Sequence, residues 1–118
     1  MLKHFNYSEF DSPDVQGSGQ MMDMRILTML DQARENFDRP IHITSGFRTN
    51  FWNEEVNGVE SSSHLKGLAV DIHCNTPRDR YHLLNCLQDV GFKRIGVADT
   101  FIHVDIDPDK TQELIWLY

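Results

Sequence analysis

Two periodicities alternate along the chain. Apolar residues recur at Ile26, Leu30, Ala33 and Phe37, the interval of three to four that marks one face of a helix. They follow DSPDVQGSG at 11–19, a run of Gly, Ser and Pro that reads as a loop. The spacing predicts a helix from about Asp23 to Phe37, ended by Pro40. The period then drops to two. Ile41 and Ile43 alternate with His42 and Thr44 in a short strand that Gly46 stops. Residues 49–57 predict a short helix capped by Thr49 or Asn50, and NGVESSS at 57–63 a polar loop.

The second half is better punctuated. In GLAVDIH, residues 67–73, Leu68, Val70 and Ile72 point one way while Ala69, Asp71 and His73 point the other. A helix follows, with Thr76 as its N-cap, Pro77 at the first position, Leu83, Leu84, Leu87 and Val90 on one face, and Gly91 as terminator. RIGVA and FIHVDID read as two strands around a turn at Asp99 and Thr100. In the second of them Ile102, Val104 and Ile106 oppose Phe101, His103 and Asp105. LIWLY, residues 114–118, predicts a last strand or short helix that closes the core. These elements describe an α+β fold with helices packed on the aliphatic face of a small sheet, and the 118 residues suit a single domain over 1–118.

Composition narrows the class of function. The chain is 40% hydrophobic and lacks a long apolar run, so no membrane partner is expected. With 11 Lys and Arg against 18 Asp and Glu, a formal charge of −7, nucleic acid is not an expected partner either. The first residues, MLKHFNYSEFDSPD, carry no apolar stretch and no small-residue cleavage site, so the expectation is a cytoplasmic protein without a signal peptide. Two cysteines outside any C-x-x-C pair, Cys74 and Cys86, are expected as reduced thiols.

Candidate chemistry lies opposite the aliphatic layer. Asp71 and His103 project from two different strands, and His64 sits in the loop that leads into the first. If those strands are neighbours, His64, Asp71 and His103 converge on one ion. Two neutral imidazoles and a carboxylate suit zinc, and three protein ligands leave a fourth position open, as in a catalytic site. Six histidines in the chain make chance pairings easy, so the residues alone leave open a metal site and a set of ordinary strand-edge polar groups. His73 shares the face of Asp71 but lies nearly 7 Å further along the strand. It is expected in the pocket wall rather than as a ligand. Phe51 and Trp52 are candidates either for a cleft lining or for the core.

SSHLKGLAVD, residues 62–71 with Ser61 before them, resembles the S-x-H-x-x-G-x-A-x-D signature of the zinc D-alanyl-D-alanine peptidase family at every fixed position. FIHVD is similar to that family's second motif, ITSGFR to its upstream motif, and HFNYSEFDSP to the opening of its short members. The family contains D-Ala-D-Ala carboxypeptidases, the dipeptidases of vancomycin resistance, and phage and bacterial endopeptidases that cut peptidoglycan peptides. Its fold is shared with Hedgehog signalling domains. The resemblance implies a mainly antiparallel sheet with an open zinc cleft on the face away from the helices. It also implies one zinc ion on His64, Asp71 and His103, with Arg48 orienting the substrate.

A guanidinium suits that last role, because it is permanently charged and forks onto a carboxylate or a polarised carbonyl. Gly67 and Ala69 are small enough to let loop and strand approach the ion, and Ser62 is a candidate hydrogen-bond donor to substrate or ligand. The general base departs from the pattern. Where relatives place an acid three positions before the last ligand, this chain has Thr100, and where some place a His two positions before it, Phe101. Asp105 shares the face of His103 and is the expected base; Asp99 is the alternative, and orienting His103 is the other role open to Asp105. The expected function is a zinc metallopeptidase cleaving peptidoglycan stem or cross-link peptides that contain D-amino acids, connected with phage lysis or a phage tail. The alternative is an inactive zinc-stabilised binding or phage structural module of the same fold.

Overall fold

The structure, a computed structural model, describes residues 2–118. Helix α1 spans Met24–Phe37, and the Asp23 side chain accepts the Arg25 backbone N–H at its start. Ile26, Leu27, Leu30 and Ala33 form its buried stripe. The helix stops before Pro40 makes itself felt. Asp38 turns left-handed at φ 56° and its N–H closes on the Arg34 carbonyl, a conformation that a short polar side chain tolerates better than a bulky one. Helix α2 is Asn50–Glu55, with Thr49 as its N-cap. Helix α3 is Pro77–Asp89, with Thr76 accepting from the Asp79 N–H and Gly91 at φ 104° just beyond the Val90 cap.

Five strands make one sheet: β1 (Ile43–Ser45), β2 (Ala69–His73), β3 (Arg94–Val97), β4 (Phe101–Asp105) and β5 (Leu114–Leu117). Their order is β1-β2-β4-β3-β5. The β1–β2, β2–β4 and β3–β4 pairs are antiparallel, and β5 joins β3 in parallel. LIWLY therefore resolves as an edge strand. The first strand starts later than the alternation of 41–44 suggests, because Ile41 lies outside the ladder although it is buried like Ile43.

Helices α1 and α3 pack against each other and share a core with Val70, Ile72, Ile95, Ile102 and Val104, all at most 1% exposed. Leu83 and Leu87 are the α3 contribution. Burial of that aliphatic face leaves the other face of the sheet to polar groups, as the period of two requires. One row crosses all five strands there: Ser45, Asp71, His103, Gly96 and Trp116, in that order. Gly96 is what lets the row close. A Cβ at that position would stand 2.6 Å from Trp116 Nε1 and 2.7 Å from Tyr118 Cε2, so only a bare backbone leaves room for the indole to lie across the sheet.

Three short 3₁₀ turns, Tyr7–Phe10, Ser18–Met21 and Ser63–Lys66, have no counterpart in the apolar pattern. Runs of four residues are too short to show a period. No helix among the described residues is long and apolar enough to cross a membrane.

Candidate metal centre

His64 is carried by the Ser63–Lys66 turn rather than by an extended loop. Ser62 caps the turn, its Oγ accepting from the His64 N–H, and Gly67 ends it at φ 71°. Asp107, fully buried beyond the end of β4, clamps the same turn. Its carboxylate accepts from Ser63 Oγ at 2.8 Å and from Lys66 Nζ at 3.1 and 3.2 Å. The chain leaving the His103 strand thus fixes the turn that carries His64. Asp71 and His103 face each other directly across the β2–β4 ladder.

These three side chains come together. One ligand atom from each of His64, Asp71 and His103 lies within 4.8 Å of the other two. Asp71 Oδ1 stands 2.9 Å from His103 Nδ1 and 3.3 Å from His64 Nε2. Each imidazole is also tied on its far side. His64 Nδ1 is 2.8 Å from the Gly46 carbonyl, and His103 Nε2 is 2.7 Å from Asp105 Oδ2. A carbonyl or a carboxylate can only accept, so those far nitrogens carry the protons. With those protons outward, His64 Nε2 and His103 Nδ1 can turn their lone pairs on a cation beside Asp71 or, when protonated, donate to Asp71 Oδ1 instead. This is the arrangement in which protein metal sites hold their histidines, and an N,N,O donor set suits zinc.

The electrostatics follow from the same contacts. Burial pushes the Asp71 carboxyl up, but hydrogen bonds from His103 and His64 outweigh it and hold the group well below the usual carboxylate range. Burial pushes His103 down, whereas the bonds to Asp105 and Asp71 raise it above the ordinary histidine value. A proton on His103 Nδ1 competes with a cation for one lone pair, so metal affinity should fall as pH falls. Below the raised His103 value the expected loss is about tenfold per pH unit for the one proton displaced, with a plateau only above it. Zinc competition titrations across about pH 5 to 9 read this directly; an affinity flat through that window would contradict it.

The centre opens into a cleft of about 380 Å³, lined among others by Arg48, Val59, Lys110, Trp116 and Tyr118. Arg48 donates through Nε to Ser45 Oγ at 3.1 Å and through Nη1 to Asn53 Oδ1 at 3.2 Å, and Nη2 lies 3.5 Å from Asp71 Oδ2. Burial draws its pKa below the usual arginine value while Asp71 opposes the change. Asp105 is 1% exposed and fully engaged. Its Oδ1 accepts from Arg94 Nε at 2.7 Å and from the Asp107 N–H at 3.1 Å, and its Oδ2 takes His103 Nε2–H. It stands behind the His103 ring, on the side away from the converging lone pairs.

Other expected residues lie elsewhere. Asp99 sits in an exposed turn outside the cleft, where its carbonyl accepts from Arg80. His73 is not in the wall of this cleft. At the end of β2 it lines a separate cavity with His42, their ring centroids 6.4 Å apart. Phe51 is 61% exposed and Trp52 half-buried, and neither lines the cleft. Cys74 and Cys86 are free thiols. Two basic cleft residues, Arg94 and Lys110, are not among the candidates named from the sequence. Arg94 is within reach of the sequence pattern, since alternation in RIGV sends Arg94 and Gly96 away from Ile95 and Val97. Lys110, whose Nζ donates to Ser63 Oγ at 2.9 Å, carries no local signal.

Set beside known proteins, the chain matches the family described as Peptidase M15 over residues 3–105, a stretch that contains all three converging side chains and Arg48. No curated protein matches it.

Proposed function

The chain belongs to the Peptidase M15 family, and from that premise we propose that it is a zinc-dependent peptidase acting on peptidoglycan peptides that contain D-amino acids, with His64, Asp71 and His103 as the zinc ligands. The reading is carried by the paired tautomers: both imidazoles are tied at the nitrogen facing away, leaving two lone pairs and a carboxylate oxygen turned to one point. A zinc ion held there would polarise a peptide carbonyl and activate water. The remaining work belongs to the chain.

Arg48 reaches into the cleft beside the outer oxygen of Asp71, where its guanidinium binds the substrate carbonyl or carboxylate and stabilises negative charge as it develops. Asp105 keeps the His103 proton on Nε2 and so fixes which nitrogen faces the ion. Burial pushes its carboxyl up, but the contacts with His103, the Asp107 N–H and Arg94 together hold it below the usual carboxylate value, which suits a fixed acceptor better than a proton carrier. Arg48, Arg94 and Lys110 against Asp71 and Asp105 give the cleft walls a positive balance within a chain of formal charge −7. That favours anionic peptides such as those of the cell wall.

Arg48→Ala should lower kcat/KM about a hundredfold or more while zinc content stays unchanged. Arg48→Lys should recover only part, because an ammonium lacks the planar fork. Steady-state kinetics with metal analysis check both, and a kcat/KM within about twofold of the parent would remove Arg48 from substrate handling.

A second reading, a zinc-loaded binding module without turnover, is favoured by one feature. Among the described residues lining the cleft the only carboxylates are Asp71 and Asp105, and both are committed to other partners. Digestion of purified muropeptides with and without chelator, followed by mass spectrometry, separates the two. Cleavage that is lost on chelation and restored by zinc supports the peptidase and identifies the bond. Stoichiometric zinc with intact muropeptides supports the module.

A further inference from the structure

Arg94 opens β3 and is 9% exposed, yet it does not face the converging lone pairs. Three contacts fix its guanidinium. Nε donates to Asp105 Oδ1 at 2.7 Å, Nη1 donates to the Thr111 carbonyl at 2.6 Å, and the group lies over the Trp116 ring, 4.9 Å from its centroid. Trp116 in turn packs beside His103, ring centroids 5.6 Å apart. The consequence falls on Asp105. With Oδ1 occupied by Arg94 and the Asp107 N–H, only Oδ2 is left for His103 Nε2, so the carboxylate has one orientation and the imidazole one tautomer.

We infer that Arg94 is a positioning residue of the metal centre: by pinning Asp105 it holds the Nδ1 lone pair of His103 on the metal position. This rests on the reading of His64, Asp71 and His103 as a zinc site. The charge matters as well as the shape. A carboxylate as buried as Asp105 needs a counter-charge to remain an acceptor, and Arg94 supplies it through a fork that also reaches Thr111. A lysine offers one ammonium, which cannot hold two acceptors in that fixed geometry. Thr111 and Trp116, which complete the seat of Arg94, lie beyond the 3–105 stretch matched to the family. Trp116, which lies under Arg94 and beside His103, thereby ties the last strand of the sheet to the metal centre.

The test measures zinc affinity by competition with a chromophoric chelator, and the visible absorption of the cobalt-substituted protein, for the parent, Arg94→Met and Arg94→Lys. Arg94→Met should weaken zinc binding about 10- to 100-fold and shift the cobalt band, with Arg94→Lys between it and the parent. Both effects should vanish on an Asp105→Asn background, since Arg94 acts through that carboxylate. A purely structural arginine would lower the melting temperature and leave affinity and spectrum alone. Affinities within about twofold of the parent, or losses that simply add to those of Asp105→Asn, would overturn the inference. If Arg94→Met does not fold, Arg94→Lys decides on the same readouts. A parent protein that binds no zinc would instead defeat the metal-centre reading itself.

Discussion

Replacing His64 with alanine is expected to remove zinc and peptide hydrolysis together. His64 supplies one of only two imidazole nitrogens at the centre. An aspartate and a single histidine make a poor zinc site, since structural and catalytic sites use at least three protein ligands. The loss should therefore exceed the roughly 10- to 100-fold that follows from disturbing a ligand's supporting partner. His64 is also 3% exposed and bonded to the Gly46 carbonyl, so the alanine variant leaves that carbonyl unpaired at a cost of about 1–3 kcal/mol. Two companions separate chemistry from folding. Asp71→Asn keeps the shape and a hydrogen-bonding side chain but removes the anionic ligand, and should also lose the metal. His82→Ala, on the exposed side of α3, should change neither zinc content nor turnover. Elemental analysis and muropeptide digestion read all three, and a His64→Ala protein with stoichiometric zinc would overturn the ligand assignment.

How far the site is legible in the sequence depends on where each restraint lies along the chain. The positions of Asp71 and His103 on the face opposite the aliphatics follow from the period of two, and the α3 boundaries from Thr76, Pro77 and Gly91, because those are local rules. The role of Asp105 does not follow. Its side of β4 can be read from its offset of two from His103, but its engagement depends on Arg94, eleven residues away, and on the Asp107 N–H. Only the folded geometry shows that these leave a single oxygen for the imidazole. His73 shows the limit of alternation in the other direction. It shares a parity with Asp71, yet it lies at the end of the strand and lines a different cavity.

The same distinction explains the fold. Long amphipathic helices and alternating strands announce themselves, whereas the Ser63–Lys66 turn is held by Asp107 across more than forty residues of chain, and nothing within SSHLK encodes that clamp. The parallel placement of β5 beside β3 is of the same kind. Its four residues are one edge of a ladder whose partner lies about twenty positions earlier, and strand direction is fixed by the connection and the packing rather than by composition.

Gly67 is where the motif and the fold meet, and Gly67→Ala should be among the most destabilising single substitutions in the chain. Two penalties coincide there. The residue is left-handed at φ 71°, which costs a non-glycine residue about 1–2 kcal/mol. A Cβ would also stand 2.3 Å from the Met21 carbonyl oxygen and 3.1 Å from Met22 Cα. These are backbone atoms, and the Gly67 carbonyl itself accepts the Asp23 N–H that begins α1, so the neighbours cannot yield without moving a helix start. Overpacking adds about 1–3 kcal/mol, a large share of a total stability of about 5–15 kcal/mol. Urea denaturation should show a lower midpoint with an unchanged slope. Gly17 provides the comparison, because it is also left-handed, at φ 88°, with nothing within 4 Å of where a methyl would stand. Gly17→Ala should cost only the conformational part, and the difference between the two variants isolates the close approach. Because Gly67 also ends the turn that carries His64, its variant should bind zinc more weakly even where it remains folded. Equal midpoints for the two alanine variants would mean that the Met21 backbone moves aside freely, and that the glycine of the motif is required for its dihedral angle alone.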